Sequence, residues 1–122
     1  MGTIKINNIE KEASCEEELR AMRDCFFVLG GKWRLQIIRY LSNREDQSLN
    51  FTKIQNDLNI SPKVLSTELN MLQINAMILR KETTEKMPQV LYQITAYGKQ
   101  SLPLIEAIVQ WGLDHRTKIL SL

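Results

Sequence analysis

The chain has 122 residues, 43% of them hydrophobic and 25% charged, with a formal net charge of +2 at pH 7. That length suits one domain with a real core, and the composition is that of an ordinary globular protein. The charge balance is too weak to announce a nucleic-acid partner by itself, so such a partner must be argued from where the charges lie. No apolar run approaches the roughly 18 residues of a bilayer span, and the first residues lack the apolar centre of a signal peptide, so no membrane partner and a cytoplasmic location are expected.

Residues 1–13 mix isolated Ile with Lys, Asn and Glu without a sustained period. A flexible N-terminal arm is expected there, ahead of a domain over 14–122. Ser14 and Glu17 form a capping box for a helix over 15–29. Along it Cys15, Leu19, Met22, Phe26 and Leu29 recur at helical spacing, while Phe27 and Val28 put apolar groups on a second side. One stripe can face the domain's own core, and the surplus calls for a second subunit. Cys15 and Cys25 would stand roughly 15 Å apart on this helix, too far for a disulfide within the chain.

Gly30-Gly31 breaks the helix, and a second one restarts near Lys32 with Trp33, Ile37, Ile38 and Leu41 on its buried side. Ser42 to Ser48 reads as a polar loop. Leu49 to Phe51 suggests a short strand, after which Ile54 and Leu58 anchor a two-turn helix. Only Asn59-Ile60 then separates this helix from Ser61-Pro62, a strong helix start: the serine hydroxyl can accept a first-turn N–H, and proline loses nothing at the first helical position. Asn75 is expected to close the new helix in the left-handed conformation.

Within that helix Leu65, Leu69 and Leu72 share one buried face. The outer side carries Lys63, Ser66, Thr67 and Asn70, small and amide side chains rather than the Glu/Lys mixture of a solvated helix. Such a face can enter a DNA major groove, with Ser, Thr and Asn meeting base edges and Lys a phosphate. Two short helices joined by a tight turn, the second with such a face, form the helix-turn-helix pattern.

After Asn75 the period changes to two, with Ile78, Arg80 and Glu82 alternating against Leu79, Lys81 and Thr83, and Val90, Tyr92 and Ile94 against Leu91 and Gln93. The link through Thr84, Glu85, Lys86, Met87 and Pro88 has no Gly for a two-residue turn, so it reads as a longer hairpin tip. Thr95 can cap a last helix, expected over 96–118, whose Leu102, Leu104, Ile105, Ile108, Val109, Trp111 and Leu113 occupy more than one face. Pro103 within it predicts a kink or a break.

The expected architecture is mainly α (α+β): a winged helix-turn-helix, with helices followed by a two-stranded β-hairpin wing and a C-terminal dimerisation helix. The residues expected at DNA are Ser61, Pro62, Lys63, Ser66, Thr67 and Asn70 on the recognition helix and Lys81, Thr84 and Lys86 on the wing. Those expected between subunits are Leu19, Met22, Phe26, Ile105, Ile108 and Trp111, on helices 15–29 and 96–118. The chain does not read as an enzyme. Its single His115 lies near the end of an amphipathic helix, no cluster has metal-ligand spacing, and Gly30-Gly31 is a helix break rather than a phosphate cradle. No metal or cofactor is expected, and no motif names a small-molecule effector.

Once this order is written out, a resemblance appears. The run Gly30-Gly31-Lys32-Trp33, then Phe51, then Ile60-Ser61-Pro62-Lys63-Val64-Leu65, Leu69, Leu72, Ile78, Arg80, Pro88, Tyr92, Thr95, Gly98, Pro103 and Trp111-Gly112 resembles the HxlR family of bacterial transcription regulators, winged-helix relatives of the MarR regulators. The resemblance spans Arg20 to His115 and implies a homodimer, built through the first and last helices, that binds operator DNA. Two positions depart from the family pattern. Arg20 stands where many members carry a cysteine, so thiol sensing is not implied. Glu68 and Asn70 stand where many relatives place Arg or Lys, and an acidic group near phosphates is unfavourable. The alternative function is a winged-helix module that binds a protein without binding DNA tightly. Weak net charge and Glu68 favour that alternative; Lys63, Ser66, Thr67, Asn70 and Lys86 favour double-stranded DNA.

Overall fold

The computed structural model describes residues 2–121, and the chain divides into two compact units, Met1–Gly31 and Lys32–Leu122. Residues 1 and 122, which bound the expected arm and domain, lie outside the described residues.

In the first unit, β1 (Thr3–Ile6) and β2 (Ile9–Glu12) pair antiparallel, with Ile6 opposite Ile9. The expected loose arm is therefore corrected over these residues to a hairpin. Its turn is Asn7-Asn8, with φ of 53° and 66°. Two consecutive left-handed residues make the primed turn whose twist suits a two-residue hairpin, and asparagine tolerates that conformation better than other non-glycine residues. The helix α1 (Cys15–Leu29) follows, capped by Ser14 Oγ, which accepts from the Glu17 amide at 3.1 Å. Lys11 Nζ meets Glu17 Oε2 at 2.8 Å. That contact, with the Ser14 hydrogen bond, holds the Glu17 carboxyl below its ordinary range. Gly30 donates its amide to Phe26 O, and Gly31, at φ 92°, leads the chain out of the helix.

The second unit contains α2 (Arg34–Ser42), α3 (Phe51–Leu58), α4 (Pro62–Ile74), β3 (Ile78–Glu82), β4 (Val90–Ile94), a single turn α5 (Ala96–Lys99) and α6 (Leu102–Leu120). Strands β3 and β4 form the antiparallel wing, with Ile78 opposite Ile94 and Arg80 opposite Tyr92. Helix α2 packs on β4 and α6, α3 on β4, and α4 on β3. The centre of the core is Ile37, Ile38, Leu41, Ile54, Leu65, Leu69 and Leu72, all fully buried. Every one is a branched aliphatic side chain at the inward spacing of its helix, so burial rather than intrinsic propensity aligns α2, α3 and α4.

Three expectations of local structure are corrected. No strand forms at Leu49 to Phe51: Asn50 Oδ1 accepts from the Lys53 amide at 2.8 Å and starts α3 at Phe51, leaving Leu49 O to accept one bond from the Tyr92 amide at 2.9 Å. Asn75 is not left-handed, its φ being −89°; Ala76 is, at φ 62°. The last helix is divided. Thr95 Oγ1 caps α5 by accepting from the Gly98 amide at 2.8 Å, and Pro103 sits in the first turn of α6, where its missing N–H costs nothing. Glycine at 98 is demanded by contact: a Cβ there would lie 2.1 Å from the Met77 carbonyl oxygen, closer than atoms can approach.

Candidate nucleic-acid interface

Helix α4 is held from both ends and from beneath. Ser61 Oγ accepts from the Val64 amide at 3.3 Å with Pro62 beside it in the first turn. Asn59, at φ 53°, closes α3 and turns the chain within two residues towards Ser61. Leu65, Leu69 and Leu72 anchor the inner face. The side chains left exposed on α4 include Pro62, Lys63, Ser66, Thr67 and Asn70, preceded by the cap Ser61, which are the residues expected at DNA. Their chemistry is partly committed. The Thr67 hydroxyl donates to Lys63 O at 3.1 Å, one turn back, so it offers its lone pairs outward and must rotate to donate to a base. Ser61 Oγ, which accepts from the Val64 amide, still has its hydroxyl proton to give to a phosphate.

Glu68 is the exception on this helix. Its Oε2 accepts from Arg34 Nε at 2.6 Å, and the two side chains are only 18% and 16% exposed. The carboxylate that the sequence placed near phosphates is thus drawn back to α2 and neutralised.

The wing stands beside α4. By the alternation of strand side chains, Arg80 shares the face of its buried neighbour Ile78, and Lys81 points to the opposite face. Ser66, Thr67, Asn70, Met71 and Gln73 of α4 together with Arg80 and Tyr92 of the wing line an open cleft of about 440 Å³. The expected set does not include Met71, Gln73, Arg80 and Tyr92. The period of two over residues 78–82 carried the signal for Arg80, but its bearing on α4 depended on packing. Thr84 and Lys86 lie exposed in the tip, which is closed by Thr83 and Gln89: the Thr83 amide donates to Gln89 O, and the Gln89 amide to Thr83 Oγ1, each at 2.9 Å.

The residues expected between subunits fall into two groups. Leu19, Met22, Phe26, Ile108 and Trp111 are exposed, Phe26 at 71% and Trp111 at 68%, whereas Ile105 is 4% exposed and belongs to the core. Its place in the expected interface is corrected on that ground. No helix among the described residues is long and apolar enough to cross a membrane.

The geometry of two helices, tight turn, wing and following helix agrees with comparison to known proteins. An uncharacterized HTH-type transcriptional regulator of Halalkalibacterium halodurans is 32% identical over 90 residues, covering 73% of this chain and 78% of that protein. The crystal structure of a MarR-family transcriptional regulator from Porphyromonas gingivalis superposes with a TM-score of 0.68 at 31% identity, covering 84% of this chain and 97% of that one. A second MarR-family structure, from Enterococcus faecalis, shares the fold at a TM-score of 0.75 and 19% identity, over 92% of this chain and all of its own. The family pattern of the HxlR-like helix-turn-helix matches residues 28–119, and the chain belongs to that family of transcription regulators.

Proposed function

We propose that this regulator acts in the cytoplasm as a homodimer that reads an inverted-repeat operator, with α4 in the major groove of each half-site. The observation that carries this reading is the division of α4: Leu65, Leu69 and Leu72 are buried while Lys63, Ser66, Thr67 and Asn70 are exposed. Thr67 and Asn70 read base edges, Ser61 and Lys63 take phosphates near the helix N-terminus, and Lys81, Thr84 and Lys86 serve the backbone from the wing. Dimerisation through α1 and α6 covers the apolar side chains those helices expose and supplies the two-fold axis that an inverted repeat mirrors.

Selection from a random duplex pool tests the proposal. The protein should enrich an inverted repeat whose half-site centres lie about one helical turn, or a multiple of it, apart. Thr67→Ala and Asn70→Ala should each cost about 1–3 kcal/mol on the enriched duplex and little on an unrelated one. If no sequence is enriched and binding does not weaken as salt rises, the winged helix is a protein-binding module instead.

A further inference from the structure

We propose that Arg80, on the inner face of the wing, is a phosphate-binding residue of the DNA interface, a role that rests on the reading of α4 as the groove-entering helix. Ile78, Tyr92 and Ile94 on that face are buried. Arg80, opposite Tyr92 in the register, is where the face leaves the core and opens on the cleft beside Ser66, Thr67 and Asn70. Among the described residues lining this cleft, Arg80 alone carries a charge.

The ion pair that Arg80 makes with Glu82 is a weak one. Arg80 Nη1 lies 3.4 Å from Glu82 Oε1, with the two side chains 44% and 67% exposed. Good charge-assisted bonds are shorter, at about 2.7–2.9 Å, and exposed pairs contribute little. The guanidinium can therefore exchange Glu82 for a stronger acceptor. A helix seated in the major groove is bordered by the sugar-phosphate backbones, so the wing wall of the cleft faces phosphate oxygens, which a guanidinium fork matches with two parallel bonds. The wing thus holds DNA through a strand side chain next to the recognition helix as well as through its tip.

The test uses a duplex enriched from a random pool by the wild-type protein and an unrelated duplex of equal length, with binding followed by fluorescence anisotropy over a range of salt. Arg80→Ala should weaken both duplexes by a similar factor, on the order of tenfold at low salt, and lower the salt slope by about 0.9. Arg80→Lys should keep the slope but recover only part of the affinity, and Glu82→Gln should tighten both duplexes. Melting temperatures should stay at the wild-type value, separating this role from a structural one. Wild-type affinity and slope for Arg80→Ala, while Thr67→Ala weakens the enriched duplex, would overturn the proposal and leave the reading of α4 standing. A loss confined to the enriched duplex with an unchanged slope would also overturn it, since that is a base contact. If neither variant affects binding, or the wild-type protein binds no duplex, the proposal and the reading beneath it fall together.

Discussion

Arg34 Nε donates to Glu68 Oε2 across 2.6 Å, joining the first turn of α2 to the middle of α4 in a half-buried setting. The pair does two things at once. It withdraws the acidic charge of α4 from the surface offered to DNA, and it ties α4 to α2. Glu68→Gln should lower stability by about 1–2 kcal/mol, the scale of a partly buried bond between charged groups. It should not raise DNA affinity, because the carboxylate it removes is already neutralised. Urea unfolding checks the first expectation and anisotropy the second. A variant of wild-type stability that binds all duplexes more tightly would mean that Glu68 faces the phosphates after all.

The end of α4 predicts a stabilising substitution. The Ala76 amide donates to Gln73 O at 3.0 Å and the Met77 amide to Leu72 O at 2.9 Å, the paired bonds of a Schellman ending, with Ala76 at φ 62°. Alanine has a Cβ to accommodate there and glycine does not. Ala76→Gly should raise the free energy of unfolding by about 0.5–1 kcal/mol, the left-handed penalty less the added freedom of the unfolded chain. An unchanged or lowered denaturation midpoint would show that the turn stores no such strain.

Much of this fold is legible in the sequence. Helical spacing located Leu65, Leu69 and Leu72 in the core, and Ser61-Pro62 marked the start of α4 to the residue, because both signals are local. The failures occurred where two local signals competed or where packing decided. At 75–76 the asparagine had the better intrinsic claim to the left-handed position, but Asn75 Nδ2 instead donates to Met71 O at 2.9 Å and the next residue makes the turn. Asn7-Asn8 is a turn signal, but the flanking Ile residues are too few to make a clear strand period. For the interface, the exposed face of α4 was legible residue by residue, whereas the Arg34–Glu68 pair and the placement of Arg80 against α4 join positions far apart in the chain.

The response to pH follows from a second pair. Tyr40 Oη donates to Asp57 Oδ2 at 2.6 Å, and Lys53 Nζ reaches the same oxygen at 3.2 Å. The tyrosine hydroxyl first, then the lysine, hold the Asp57 carboxyl below its ordinary range. Burial first, then Asp57, push Tyr40 up to about 12. A lowered carboxylate gives stability that is present at neutral pH and lost as pH falls through about 4 and below; a raised tyrosine gives stability present below about pH 10 and lost as pH climbs towards its folded value. Tyr40→Phe should therefore lower the melting temperature at neutral pH and flatten the decline of stability above pH 10. An alkaline limb identical to that of the wild-type protein would assign the decline to other groups.

The last prediction separates core from subunit contact on α6. Ile105 is buried, while three residues further on Ile108 is exposed, and Trp111 beyond it is exposed too and stacks on His115 with ring centroids 5.0 Å apart. On α1, Phe26 and Phe27 are exposed in the same way. Side chains of this size left in water cost about 1.5–3 kcal/mol each relative to burial, so a dimer that covers several of them has a sufficient driving force. Ile105→Glu should unfold the chain by placing a charge in the core. Phe26→Glu and Trp111→Glu should leave the far-ultraviolet circular dichroism intact and yield a folded monomer of 14.2 kDa in light scattering. Such monomers should bind a single half-site weakly and lose the cooperative grip on the full inverted repeat, since tethering a second α4 is what makes its binding intramolecular. A wild-type protein that is monomeric at micromolar concentration would remove the dimer from the proposal, and dimers that survive both glutamate substitutions would move the contact away from α1 and α6.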